Sequence, residues 1–207
     1  MKREEKNQLS RQKILESAVR EFGGKGYGLS SINTICSEGG ISKGILYHYF
    51  KDKDEVYLAC VGECFDRLTK RIRAAVTEKE SGIDAGLQRY FDARVTFFRE
   101  NPLWQNIFCD AVVSPPPHLA ARIREMRAEF DNLNLTILTS LLQGVKLRKD
   151  TTLEDVVEVF RLYQDFVSSW YQIKAKDQGD PGGYEKICRK SVSILLYGVV
   201  EREGGCL

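Results

Sequence analysis

Apolar residues recur at steps of three and four along almost the whole chain, and no stretch alternates apolar with polar as a half-buried strand must. The pattern therefore predicts an all-helical protein. A first helix is expected from about Leu9 to Phe22, with Ile14, Leu15, Ala18, Val19 and Phe22 on one face and Gly23, Gly24 and Gly26 as its stop. Ser30 is placed to cap a short second helix carrying Ile32, Ile35 and Cys36, which ends at Gly39-Gly40. Ser42 caps a third, Lys43 to Phe50. The charged run Lys51 to Asp54 then opens a long fourth, whose Tyr57, Cys60, Val61, Cys64, Leu68 and Ile72 share a side.

Past Glu80-Ser81-Gly82 the spacing predicts helices over about 83–100 and, behind Pro102, 103–113. A long helix follows Pro115-Pro116-Pro117, with Leu119, Ile123, Met126, Phe130, Leu133, Ile137 and Leu141 forming a seam wide enough for a core face. The triple proline fits a helix start better than a PxxP recognition motif. Two more helices, about 152–176 and 184–203, are separated by the breaker Asp177 to Gly183. This makes about nine helices: a headpiece over 1–53 and a body over 54–207, joined by a connecting helix over 54–80.

Charge adds a direction. The total is nearly balanced, 31 Lys plus Arg against 29 Asp plus Glu, but residues 1–53 hold ten basic and six acidic side chains. That segment carries +4 and the remaining 154 residues −2, so the basic surplus lies in the first quarter. No apolar run approaches the roughly 18 to 20 residues that span a bilayer. The opening MKREEKNQLSRQK has no apolar segment behind its charges, so the sequence predicts a cytoplasmic protein without a secretory signal. Six cysteines without CxxC spacing read as reduced thiols.

Ser30 to Phe50 has the grammar of a helix-turn-helix: a capped short helix, a glycine-containing turn, and a second capped short helix. The second helix must present small or polar residues at its start to enter a major groove, and Ser42, Lys43 and Gly44 meet that need. Spacing of this kind also occurs in proteins that bind no DNA. The residues themselves are more specific. Gly26-Tyr27, Ser30-Ser31-Ile32, Ile35, Gly40-Ile41-Ser42-Lys43-Gly44, Leu46-Tyr47-His48-Tyr49-Phe50 and Lys53 resemble the signature of the tetracycline-repressor (TetR) family, from about residue 9 to 58. Cys36 and Gly39 depart from it, standing where alanine is common.

The resemblance implies that Ser30 and Ser31 meet a phosphate, while Ser42, Lys43 and Gly44 approach base edges or the backbone. It also implies that Tyr47, His48 and Lys53 reach phosphates and that Tyr49 and Phe50 belong to the core. The implied function is transcriptional regulation, most often repression, by a homodimer that releases a two-half-site operator when a small molecule enters the body. A constitutive DNA-binding protein whose body serves only assembly, and a helical enzyme or carrier, remain as alternatives.

An enzyme finds little to work with, since His48 and His118 are the only histidines and fall in different expected domains. No cofactor or metal is expected, and Cys60 and Cys64, one turn apart, read as core residues rather than a redox switch. Tyr90, Phe97, Trp104, Phe108, Phe130, Tyr163, Phe166 and Trp170 suggest an aromatic-lined ligand pocket in the body. Arg94, with Asp92, Asp110 and Gln164, is a candidate polar group within it. The last two helices are unusually apolar and predict a dimer interface through Phe160, Val167, Ser191, Leu195 and Gly198.

Overall fold

The computed structural model describes residues 3–76, 82–163 and 181–200. Among these the architecture is all-α, with no strand beyond an isolated antiparallel bridge between Leu147 and Val200. The helices are α1 (Arg3–Leu29), α2 (Ile32–Gly39), α3 (Lys43–Tyr49), α4 (Lys53–Ala75), α5 (Ile83–Glu100) and α6 (Pro102–Val113). A 3-10 turn, Pro117–Leu119, leads into α7 (Ala120–Leu142); α8 is helical over 153–163, and α9 spans Pro181–Val199. Phe166, Val167 and Trp170 lie outside the described residues, as does most of the breaker.

The chain forms two compact units. One contains residues up to Leu68 together with Phe98–Ala128; the other contains Thr69–Phe97 and residues from Glu129 onward. In the first, Ile14, Ala18 and Phe22 of α1, Ile35 of α2, Leu46 of α3 and Val56, Tyr57, Cys60 and Val61 of α4 are all fully buried. These are the apolar positions of four separate periodic stripes, so the stripes converge on one core.

The expected stop of α1 is corrected in part. Gly23 and Gly24 do not end it: both are helical, and the break comes at Gly26, whose φ of 72° and ψ of 167° only glycine adopts readily. Gly23 serves packing instead. A Cβ there would lie 2.7 Å from the Leu103 carbonyl oxygen, so the missing side chain lets α6 lie against α1. Asn106 Nδ2 secures that approach by donating to the Gly23 carbonyl at 2.7 Å.

In the second unit Phe91, Leu138, Leu142, Val156, Phe160, Val192 and Leu196 form one cluster. The α8 start is a reciprocal cap: the Thr152 amide donates to Asp155 Oδ2 at 2.8 Å, and the Asp155 amide donates to Thr152 Oγ1 at 3.1 Å. Arg148 closes the far end of α9, donating to the Gly198 carbonyl at 3.0 Å. The proline-glycine part of the expected breaker does not interrupt α9 but opens it, Pro181 being its first residue. No described helix is long and apolar enough to cross a membrane.

Candidate nucleic-acid interface

The helix-turn-helix is fixed at each joint by a specific contact. Ser31, not Ser30, caps α2: its backbone is extended and its Oγ accepts the Asn33 amide at 3.1 Å. Its own amide donates to Glu21 Oε1 at 3.0 Å. Glu21 is almost fully buried, which by itself would raise its pKa, but hydrogen bonds from Lys25 (2.8 Å) and Ser31 hold it below the ordinary carboxylate value. Ser30 turns inward. Its hydroxyl donates to the Gly26 and Glu21 carbonyls at 2.6 and 3.1 Å, and only 6% of the residue is exposed, so the expected phosphate contact is not available to it.

Gly40 ends α2 in the left-handed region (φ 59°, ψ 39°), with its amide reaching back to the Cys36 and Ser37 carbonyls. Two residues later Ser42 caps α3, its Oγ accepting the Ile45 amide at 3.2 Å. Leu46 is completely buried and Phe50 nearly so, and these two anchor the helix. The opposite side presents Ser42, Lys43, Gly44, Tyr47 and His48 to solvent. Ser31 and Ser42 accept through their caps yet each keeps an O–H to donate.

Two residues of α3 stand differently from expectation. Tyr49 is only half-buried, edge-on to the His48 ring at 5.0 Å, so it is a flank of the exposed face rather than core. Ile45, which periodicity did not single out, is 45% exposed beside Ser42 and Lys43. Its signal was present: with Leu46 and Phe50 facing inward, Ile45 is out of phase, and an exposed aliphatic group there suits a thymine methyl.

Asp52 caps α4 by accepting the Glu55 amide at 3.0 Å, and Lys53 follows it. The Lys53 ammonium sits 4.4 Å over the Tyr27 ring. Tyr27 donates its hydroxyl to Asp54, which also faces His118 at 3.1 Å. None of this network could be read from spacing, because its members lie in α1, α4 and the turn before α7.

The expected ligand-pocket residues divide. In the second unit the Arg94 guanidinium, in a residue 5% exposed, lies 5.6 and 5.4 Å from the Tyr90 and Phe130 ring centres. It donates to the Tyr90 hydroxyl at 2.8 Å, and that hydroxyl donates to Asn134 Oδ1 at 2.8 Å. Tyr163 donates to the Cys188 carbonyl, and Phe97 is buried in the same unit. Trp104 and Phe108 instead belong to the first unit. Phe108 packs on Phe65 and Phe98, while Trp104 carries the Arg67 guanidinium at 5.2 Å. Asp92 is exposed and paired with Arg189, and Asp110 receives the Tyr27 amide; Phe166, Trp170 and Gln164 lie outside the described residues.

The expected interface residues divide as well. Phe160 is 7% exposed within its own unit's core, and Leu195 packs on that core. Ser191 hydrogen-bonds Tyr163 in the same unit, whereas Gly198 is exposed and Val167 lies outside the described residues. Among the described residues of α8 and α9, the large apolar side chains that face outward are Leu153, Val159, Leu162, Ile194 and Tyr197, which are 38–64% exposed.

Burial pushes the Cys60 thiol up to about 12 and the Cys64 thiol higher still, and Cys64 donates to the Trp104 carbonyl. Burial thus favours the neutral thiol at both positions, as expected of core cysteines. Among the described residues no three His, Cys, Asp or Glu side chains gather to hold a metal ion.

Known proteins agree with this architecture. Residues 14–60 match the family described as "Bacterial regulatory proteins, tetR family", and residues 81–194 match "Tetracyclin repressor-like, C-terminal domain". The HTH-type transcriptional regulator BetI of Pseudomonas fluorescens is 27% identical over 130 residues, 60% of this chain and 66% of that protein. The HTH-type transcriptional activator FasR of Mycolicibacterium smegmatis is 31% identical over 85 residues, 40% of this chain and 39% of that one. The match thus spans less than two thirds of either relative. In fold, the chain is similar to the regulator FadR of Bacillus subtilis, solved with stearoyl-CoA: TM-score 0.65 at 15% identity, covering 86% of this chain and 95% of that one. The C-terminal match alone spans more than half of the 207 residues, and with the helix-turn-helix match ahead of it the chain belongs to the tetR family of bacterial transcriptional regulators.

Proposed function

We propose that the chain acts as a homodimeric repressor that occupies a palindromic operator and leaves it when a small apolar or aromatic molecule enters the body. The observation that carries the DNA-binding part is the face of α3: Ser42, Lys43, Gly44, Tyr47 and His48 exposed together on a helix locked by its cap and by Leu46 and Phe50. Lys43 and Ile45 at the first turn suit base edges, and Ser31, Tyr47, His48 and Lys53 suit phosphates on either side.

Ligand sensing is supported by the Arg94 cluster. A buried guanidinium among aromatic rings orients an otherwise apolar guest, and the FadR neighbour was solved with a long acyl thioester. Dimerisation is supported by the outward apolar face of α8 and α9, and pairing two headpieces about 34 to 36 Å apart, or a multiple, makes a palindrome readable. Repression is the economical sign, because a dimer seated across a promoter blocks access without a dedicated activating surface.

Selection from a random duplex pool, followed by footprinting, tests the reading. A palindrome protected in two half-sites on one face of the helix, and released by a compound that also raises the melting temperature, is the expected result. Since a ligand shifts only an equilibrium whose two states it binds unequally, a compound that stabilises the protein without loosening DNA would refute the sensing step. A reporter that rises when the protein binds would reverse the sign and leave the DNA reading standing.

A further inference from the structure

The side chains beneath Lys53 lead to a residue far from the helix-turn-helix in sequence. His118 Nε2 lies 3.1 Å from Asp54 Oδ2 and 3.4 Å from the Tyr27 hydroxyl, which donates to the other Asp54 oxygen. An ionised carboxylate only accepts, so His118 and Tyr27 both turn a hydrogen toward it. The Tyr27 bond, with a further contribution from His118, holds Asp54 below the ordinary carboxylate value despite its burial. Burial and Asp54 push the Tyr27 phenol up to about 12, which keeps it a donor. The charged groups that act on this cluster include Asp54 itself, Lys53 beside it, Asp52 ahead of α4, and Asp110 of α6, which receives the Tyr27 amide.

The Tyr27 ring is gripped on other sides too. It meets Tyr57 edge-on at 5.0 Å and stacks parallel to Phe22 at 6.3 Å. Onto this fixed ring the Lys53 ammonium is laid at 4.4 Å. A lysine head on four methylenes has no preferred direction of its own, so what holds the ring also aims the charge.

We propose that His118 is a positioning residue for DNA binding: acting through Asp54 and Tyr27, it fixes where Lys53 offers its ammonium to a backbone phosphate. This rests on the DNA-binding reading above. His118 needs no contact with DNA, and the contact it governs is independent of sequence.

A double-mutant cycle tests the chain of contacts on the tightest palindrome recovered from the random pool. The proteins are wild type, His118→Ala, Lys53→Met and the double variant, each checked as folded by its melting curve. His118→Ala is expected to weaken binding three- to tenfold and to reduce the salt slope by part of the ~0.9 that one phosphate contact contributes. In the Lys53→Met background it should cost nothing further. Tyr27→Phe, which keeps the ring and loses only the hydroxyl, should behave like His118→Ala, and His118→Gln, whose amide can donate to Asp54, should recover most of the affinity.

Additive losses from His118→Ala and Lys53→Met would mean that His118 acts independently of Lys53 and would overturn the proposal. So would wild-type affinity in either folded single variant. A pool that yields no palindrome overturns the DNA-binding reading and this proposal together, whereas a palindrome bound equally by wild type and His118→Ala overturns this proposal alone.

Discussion

Alanine at Gly24 is expected to stabilise the protein, whereas alanine at the adjacent Gly23 is expected to gain nothing or to destabilise it. Both glycines are in the helical part of α1, so alanine gains at each the helix propensity that glycine lacks, about 0.8–1.0 kcal/mol. At Gly24 the new methyl meets nothing within 4 Å, and the gain should be kept. At Gly23 it meets the Leu103 carbonyl oxygen at 2.7 Å, the Leu103 Cβ at 2.9 Å and the Cα at 3.1 Å. Two of these are backbone atoms, which cannot rotate aside, so α1 and α6 must separate and strain the Asn106 bond to the Gly23 carbonyl. Overpacking of this kind costs about 1–3 kcal/mol, which cancels or exceeds the propensity gain. Gly24→Ala should therefore be more stable than Gly23→Ala by about 1–3 kcal/mol. At about 2–4 °C per kcal/mol for a chain of this length, that is a separation of several degrees in melting temperature. Circular dichroism melts and urea titrations of the two variants measure it. If Gly23→Ala melts with Gly24→Ala or above it, the close approach of α6 to α1 is wrong.

Tyr47→Ala should weaken binding to all duplexes by a similar factor, whereas Lys43→Ala should also change base preference at one position of each half-site; competition assays with single-base variants separate the two. Ile194→Arg places a charge at a position 64% exposed in the single chain, so the fold should survive while light scattering reports a monomer; a stable dimer that still binds operator would put the interface elsewhere. The folded state holds the Glu21 carboxyl below its ordinary value of 4.5, so it contributes stability above that pH and loses it as pH falls through the folded value; Glu21→Gln should flatten the acid limb of a stability-against-pH curve. Cys60 and Cys64 should resist iodoacetamide at pH 8 until the protein is unfolded, as peptide mapping would show; fast native alkylation would contradict their burial.

What the sequence makes legible is set by how local the cause is. The α3 cap at Ser42 and the end of α2 at Gly40 depend on neighbours within a few residues, and both appear as expected. The N-cap of α2 falls one residue later than expected because Ser30 and Ser31 are both capable of it; the choice is made by Glu21, which receives the Ser31 amide, and by the Gly26 carbonyl, which takes the Ser30 hydroxyl. Gly23 reads as a helix stop because propensity sees a missing side chain and cannot see Leu103, far along the chain in α6, filling its place. In the sequence Trp104, Phe108, Tyr90 and Phe130 gather into one expected pocket, but periodicity holds no information on which helices their faces meet, and the first two go to one unit and the last two to the other.

The signature residues themselves fall into two physical classes. Ser42, Lys43, Gly44, Tyr47 and His48 face solvent, where DNA can reach them. Gly26, Tyr27, Ser30, Ile35, Leu46 and Phe50 are scaffold, whether as a positive-φ break, a fixed ring, an inward hydroxyl or buried apolar anchors. A groove-reading surface needs both, because a contact made by a wandering side chain loses much of its energy to ordering. Lys53 joins the classes: its charge belongs to the surface, while its direction belongs to Tyr27 and to whatever fixes Tyr27. A match to such a signature thus certifies a rigid presentation of polar groups as much as the groups themselves. Part of that rigidity comes from outside the signature, since Asn106, Asp110 and His118 brace α1 and Tyr27 from α6 and the turn beyond it. A headpiece cut off after α4 would keep every signature residue and lose those three braces, so in a titration against a single half-site, where no pairing through the body is needed, it should bind DNA more weakly than the full chain.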